Sequence, residues 1–286
     1  MAIRVARFAG ESAQLAHWLG RPEDELGLDS HAADRERWLA WAGDQITGVL
    51  NVWHAPDGRA RLFFGRCQPE AYAQLAGAID TGCYATIDAR DHDVLAALAA
   101  GGFTEVRRES EYEIPVSLVD APVPAGIRII TADQTELEPL MLLDCAIRAD
   151  IPGAEGWQPD PQWFREETYD SPDFDPQAYR VALDGDDYVG LARIWGRSRS
   201  QRYRRLGCVG VLRGYRRAGL ARALIAQALA PLAAAGETAV TAEADTTNLA
   251  SHTLLTGFGA RVTGGTVELY RDGRPGGTRP AAPAAN

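Results

Sequence analysis

Three sets of residues recur in the same order in both halves of the chain. Ile3-Arg-Val5 returns as Ile127-Arg-Ile129, an offset of 124. Gly43-Asp44, Gly48 and Trp53 return as Gly185-Asp186, Gly190 and Trp195, an offset of 142. Asp88, Leu98, Gly102 and Glu111 return as Asp245, Leu255, Gly259 and Glu268, an offset of 157. Matches that keep their order over such a span describe one supersecondary plan used twice. The growing offset adds about 18 residues to the second copy between the first two sets, and about 15 between the second and third. The chain has 286 residues, 46% of them apolar, which suits two domains that each bury a core.

The repeat predicts a first domain over residues 1–118 and a second over 126–272. The segment Ser117–Gly126, with two prolines and a glycine, reads as an extended connection. Residues 273–286, rich in Gly, Pro and Ala, read as a poorly ordered tail. In the second copy, patterning predicts strands at 127–130, 178–183, 188–195, 205–211, 239–245 and 266–270. Helices are expected at 135–148, 162–169, 218–234 and 248–256. Asp184-Gly185-Asp186 reads as a tight hairpin. The fold class is therefore α/β of the α+β kind, with a mixed, mostly antiparallel twisted sheet flanked by helices in each domain.

The net charge is −10, with no lysine among the 29 fixed cations. Such an acidic surface disfavours phosphate backbones, so no nucleic-acid partner is expected. The four cysteines form no CxxC and stand beside no histidine cluster, which argues against a zinc site or a disulfide framework. No run approaches the length of a membrane span and no secretory leader is visible; a cytoplasmic protein with no membrane partner is expected.

Against this acidic background, one segment is locally basic: Val211-Leu-Arg-Gly-Tyr-Arg216-Arg217-Ala218-Gly219-Leu220-Ala221. It joins an expected strand to an expected helix. The first N–H groups of a helix lack internal partners and, with the helix dipole, form an anion site. Small residues let an anion approach, Gly219 tolerates unusual φ, and Arg216 and Arg217 offer charge-assisted hydrogen bonds. The same residues also fit a solvated basic loop. Neither GxGxxG nor GKS/T is present, so Rossmann and P-loop assignments fail.

Arg216-x-x-Gly219-x-Ala221 resembles the Q/R-x-x-G-x-G/A signature of the GNAT N-acetyltransferase superfamily. Asn248, Ser251, Leu254 and Gly259 resemble that family's N-x-x-A/S-x-x-L-Y-x-x-x-G-F pattern in spacing. The resemblance covers residues 126–271 and reaches residues 1–118 only through the repeat. It implies two tandem GNAT-like domains, with acetyl-CoA as cofactor and direct transfer of an acyl group to a small-molecule amine in a ternary complex. It implies that Val209 and Val211 pair with the pantetheine arm. The backbone of residues 217–221, namely Arg217, Ala218, Gly219, Leu220 and Ala221, would hold the pyrophosphate. Asn248 and Ser251 would complete the cofactor site, though Asn248 also reads as a helix cap.

Two departures bear on chemistry. Leu255 stands where the family carries a tyrosine acid, and Ala260 where it carries an aromatic. Either the thiol leaves unaided, its ordinary pKa being about 8.5, or the chain only senses acyl-coenzyme A. Glu243 is the expected base, on one strand face with Thr241 and Asp245; it also reads as an ordinary strand carboxylate. His252 is a second candidate. The extra segment near 150–175 carries Trp157, Trp163, Phe164 and Tyr169 with Asp150, Glu155 and Asp160. Trp157, Glu155 and Asp160 are expected to meet a cationic amine; the same segment also fits a helix packed on its neighbour. In the first copy, Pro69-Glu70 opens a helix where the loop should be. That copy is expected to bind no coenzyme A and to serve structurally. The oligomeric state is left open.

Overall fold

The computed structural model describes residues 2–26, 35–55, 58–152, 160–196 and 202–273. The chain runs β1 (Ile3–Arg7), α1 (Ser12–Leu19), β2 (Arg35–Ala42), β3 (Gln45–His54), β4 (Ala60–Cys67), α2 (Pro69–Gly77), β5 (Cys83–Asp88), α3 (His92–Ala100) and β6 (Thr104–Pro115). It continues with β7 (Ile127–Thr131), α4 (Leu137–Arg148), α5 (Pro161–Thr168), β8 (Tyr179–Asp184), β9 (Asp187–Ile194), β10 (Arg204–Val211), α6 (Leu220–Ala234), β11 (Ala239–Asp245), α7 (Leu249–Thr256) and β12 (Arg261–Arg271). Among the described residues no helix is long and apolar enough to cross a membrane.

The chain forms two compact units, Met1–Arg108 with Thr266–Asn286, and Glu109–Gly265. The division does not coincide with the connection expected at 117–126. It falls inside β6 and inside β12, and residues Val116, Val119 and Ala121 pack against the core of the second unit. The physical reason is strand length. At 12 and 11 residues, β6 and β12 are long enough for each to place one half in each unit. Thr266–Arg271 pair with β5 inside the first unit, burying Val267 and Leu269 in its core. Glu109–Pro115 pair with β11 inside the second, burying Tyr112 and Ile114. The expected tail lies outside the described residues from 274 onward.

Each unit repeats one plan. Three antiparallel strands (β1-β2-β3, β7-β8-β9) lead to a fourth, and the fourth pairs in parallel with a fifth over three residues only. The recurring residues occupy equivalent places. Gly43 and Gly185 turn the matching hairpins at φ +62° and +58°. At Gly48 an added Cβ would stand 2.9 Å from Leu75 of α2; at Gly190 it would stand 3.1 Å from Leu224 of α6. Glycine there lets the long helix sit close on the sheet. In the second unit, Tyr179, Val181 and Leu183 of β8 face α4 and α5, whereas Ala182 faces α6, the strand period of two dividing the core into two layers.

Candidate active site

Strands β10 and β11 pair only at Arg204–Leu206 with Val240–Ala242, then part. A bulge at Gly207, where Leu206 and Cys208 oppose the adjacent residues Ile194 and Arg193, bends β10 away. The Leu212 N–H bonds to the Val189 carbonyl, so alternation along the antiparallel pair turns the peptide groups of Val209 and Val211 away from β9, toward the gap. Apart from the Val211 carbonyl, which accepts from Arg216, this backbone edge is open to an extended ligand.

The gap leads to the basic loop. A short 3₁₀ turn, Arg213–Tyr215, precedes Arg216, and α6 starts at Leu220. Arg217 is the non-glycine residue of the described chain with positive φ, at +68°, and Gly219 follows at +81°. Two left-handed residues so close cost strain for arginine and need something to hold them. What holds them is Arg216: its Nε donates to the Val211 carbonyl at 2.9 Å and its terminal nitrogen pairs with Asp150. Arg213 joins the same carboxylate at 2.5 Å. The two guanidinium groups hold the Asp150 carboxyl well below the usual carboxylate range. Among the described residues no acceptor stands against the backbone N–H groups of residues 217–222; the next, that of Ala223, bonds to the Gly219 carbonyl. An added Cβ at Gly219 would meet nothing within 4 Å, so the space before these donors is open. Six unspent N–H groups at a helix start suit a pyrophosphate. In the first unit a single residue, Gln68, separates β4 from α2; Pro69 has no N–H, and Ala71 N–H bonds to the Gln68 carbonyl.

The other expected residues fall into several groups. Arg216 and Asp150 shape the loop from within. Asn248 caps α7, its Oδ1 accepting from Ser251 N–H at 3.1 Å. Leu255 is 3% exposed within the core, so it offers the cleft nothing. His252 pairs through Nδ1 with the hydroxyl of the buried Tyr112. Glu243 is exposed on the α4–α5 face and pairs with Arg205 at 3.0 Å. Thr241 shares that face; the buried Asp245 accepts from Thr247. Asp160 caps α5, its Oδ1 accepting from Trp163 N–H at 2.6 Å. Its carboxylate therefore serves the helix start. Glu155 and Trp157 lie outside the described residues.

A cavity of about 240 Å³ opens beside the point where β10 leaves β11. Its wall includes Asp144 and Arg148 of α4, Trp163, Phe164, Glu167 and Thr168 of α5, Arg193 and Trp195 at the end of β9, and Arg205 and Gly207 of β10. Burial of Cys208 behind it pushes that thiol up to about 11, so it stays neutral. Sequence reasoning reached Trp163 and Phe164 but missed Arg193. The available signal was its place two residues after Leu191, on the inward face of a buried strand.

The fold is that of two GNAT domains in tandem, and the match to the family's sequence model falls in the second. Residues 147–260 match the model of the acetyltransferase (GNAT) family, whose members as a class move an acetyl group from an acyl-coenzyme A. A GCN5-related N-acetyltransferase from Sphaerobacter thermophilus superposes with a TM-score of 0.67 at 16% identity, covering 96% of each chain. A tandem GNAT protein from the clavulanic acid biosynthesis pathway superposes with 0.63 at 15% identity, over 96% of this chain and 99% of that one. A GNAT-family acetyltransferase from Colwellia psychrerythraea gives 0.60 at 13%, over 93% and 98%. At these identities the likeness is one of fold. No curated protein matches the sequence.

Proposed function

We propose that the chain is an acetyl-CoA-dependent N-acetyltransferase acting on a small amine by direct transfer, with its chemistry in the second unit. The observation that carries this is the run of unspent N–H groups at 217–222, beside the edge of β10 where the peptide groups of Val209 and the N–H of Val211 face the gap, the Val211 carbonyl being taken by Arg216. Acetyl-CoA, when bound, supplies an activated acyl group. The loop N–H groups of Arg217, Ala218, Gly219, Leu220 and Ala221 hold the pyrophosphate, and the edge of β10 orients the arm and polarises the thioester carbonyl. Glu243 takes the proton from the ammonium, directly or through water, so that the neutral amine attacks. Arg205 holds the Glu243 carboxylate in place. No acid is assigned, because Leu255 is buried and the thiol is acidic enough to leave as thiolate. The first unit, with one residue before α2, is read as a structural copy that binds no coenzyme A.

The test is release of free thiol from acetyl-CoA with a panel of small amines, with the acetylated amine identified by mass. Thiol and product in equal amounts are expected. Tight coenzyme A binding with no turnover on any amine would mark a sensor instead. Glu243→Gln is expected to lower kcat by at least tenfold at neutral pH, with a smaller loss at high pH where the amine is already neutral. An unchanged rate at every pH removes Glu243 from the chemistry.

A further inference from the structure

We propose that the amine accepted by the second unit carries a carboxylate, and that Arg193 binds it. This rests on the transferase reading above and adds its substrate class.

Arg193 is 7% exposed, on the α4–α5 face of the sheet, and lines the cavity. Its Nη1 reaches Thr168 Oγ1 at 3.5 Å, the limit of a hydrogen bond, and its Nε is buried with no partner. Its guanidinium stacks 4.0 Å from the centroid of Trp195 and 5.6 Å from that of Tyr179. Among the described residues no carboxylate stands within ion-pair distance of it. Of the neighbouring acids, Asp144 is paired with Arg148 at 2.5 Å and Glu243 with Arg205 at 3.0 Å; Glu167 also lines the cavity but forms no ion pair with Arg193. Burying a guanidinium without a counter-ion is costly, aromatic faces offset part of that cost, and an anion arriving from outside offsets the rest. The planar fork of arginine fits a carboxylate bidentately.

The dimensions agree. A volume near 240 Å³ equals about eight waters at ~30 Å³ each, room for a small organic acid. Trp163, Phe164 and Trp195 offer apolar wall for its carbon chain. The anion loop begins beyond Val211, four residues from Gly207, or about 13 Å along the strand at ~3.3 Å per residue. Arg193 is therefore too far along the sheet to belong to the pyrophosphate site. Arg205 lines the cavity and holds Glu243, so the proposed base stands at the cavity rim. A zwitterion with its ammonium toward Glu243 and its carboxylate on Arg193 satisfies both.

The experiment uses the full chain with acetyl-CoA and three amine sets: β-alanine, 4-aminobutyrate and 5-aminopentanoate, each beside its carboxamide and the alkylamine of equal length. Thiol release and titration calorimetry are both read. In at least one set the carboxylate is expected to show kcat/KM tenfold or more above its partners, mainly through KM. Arg193→Met should erase that difference, and Arg193→Lys should restore part of it. Arg193→Met should also hold or raise Tm, since it removes a buried unpaired charge; a structural arginine would give a fall. Equal kcat/KM within every set overturns the proposal, as does a carboxylate preference that Arg193→Met leaves intact. If no amine turns over, the transferase reading fails and calorimetry decides the site: amino acids that bind wild type but not Arg193→Met sustain it, and absence of binding overturns it.

Discussion

At the scale of residues, the loop is built around a carboxylate that pairs with two of its arginines. Asp150 gathers Arg213 and Arg216, and the pair keeps its carboxyl charged far into acid. A carboxyl whose folded pKa lies below the unfolded value of about 3.9 stabilises the fold at all pH values above that range, and the contribution is lost as pH falls through the folded pKa. Coenzyme A affinity should therefore show no Asp150-linked step between pH 5 and 8. Asp150→Asn should weaken that affinity severalfold by freeing both arginines, and calorimetry at pH 7 checks it. Leu255→Tyr, which would recreate the family's side chain, should cost about 1–3 kcal/mol by overpacking the core and should not raise turnover; a chemical melt with a parallel rate assay reads both. Asn248 was readable as a cap because cap chemistry is local. Arg193 was not read, although alternation from Leu191 put it on an inward face, because an arginine in a strand looks the same in sequence whether it faces water or lines a cavity.

At the scale of elements, the decisive contrast is between β4–α2 and β10–α6. Both fourth strands part from their fifth after three paired residues, so the cleft belongs to the shared plan. The eight residues 212–219 belong to the second copy alone. The sequence made this loop legible, since its small and basic residues are unusual in an acidic chain and their spacing follows a known signature. The bulge at Gly207 was not legible: a glycine in a strand marks many things, and only the paired register shows which. The glycines of the third strands carry a prediction. Gly48→Val and Gly190→Val each drive a branched side chain into the helix above, at Leu75 or Leu224, and each should destabilise by about 1–3 kcal/mol in denaturant. A Tm unchanged in both would show that the helices sit farther from the sheet.

At the scale of the whole molecule, the repeat foresaw two copies of one fold but not where their edges lie. A strand long enough to place half of itself in each unit has the same apolar alternation as one that stays at home, so β6 and β12 hid the division. On the proposed function, this doubled fold carries one cofactor site, at the start of α6. Titration of acetyl-CoA into the full chain, followed by calorimetry, tests it most directly. One site per chain is predicted, with affinity reduced at least tenfold in Gly219→Val, whose branched side chain resists φ +81° and fills the space before the free N–H groups. Two sites per chain, or a single site that Gly219→Val leaves intact, would contradict it.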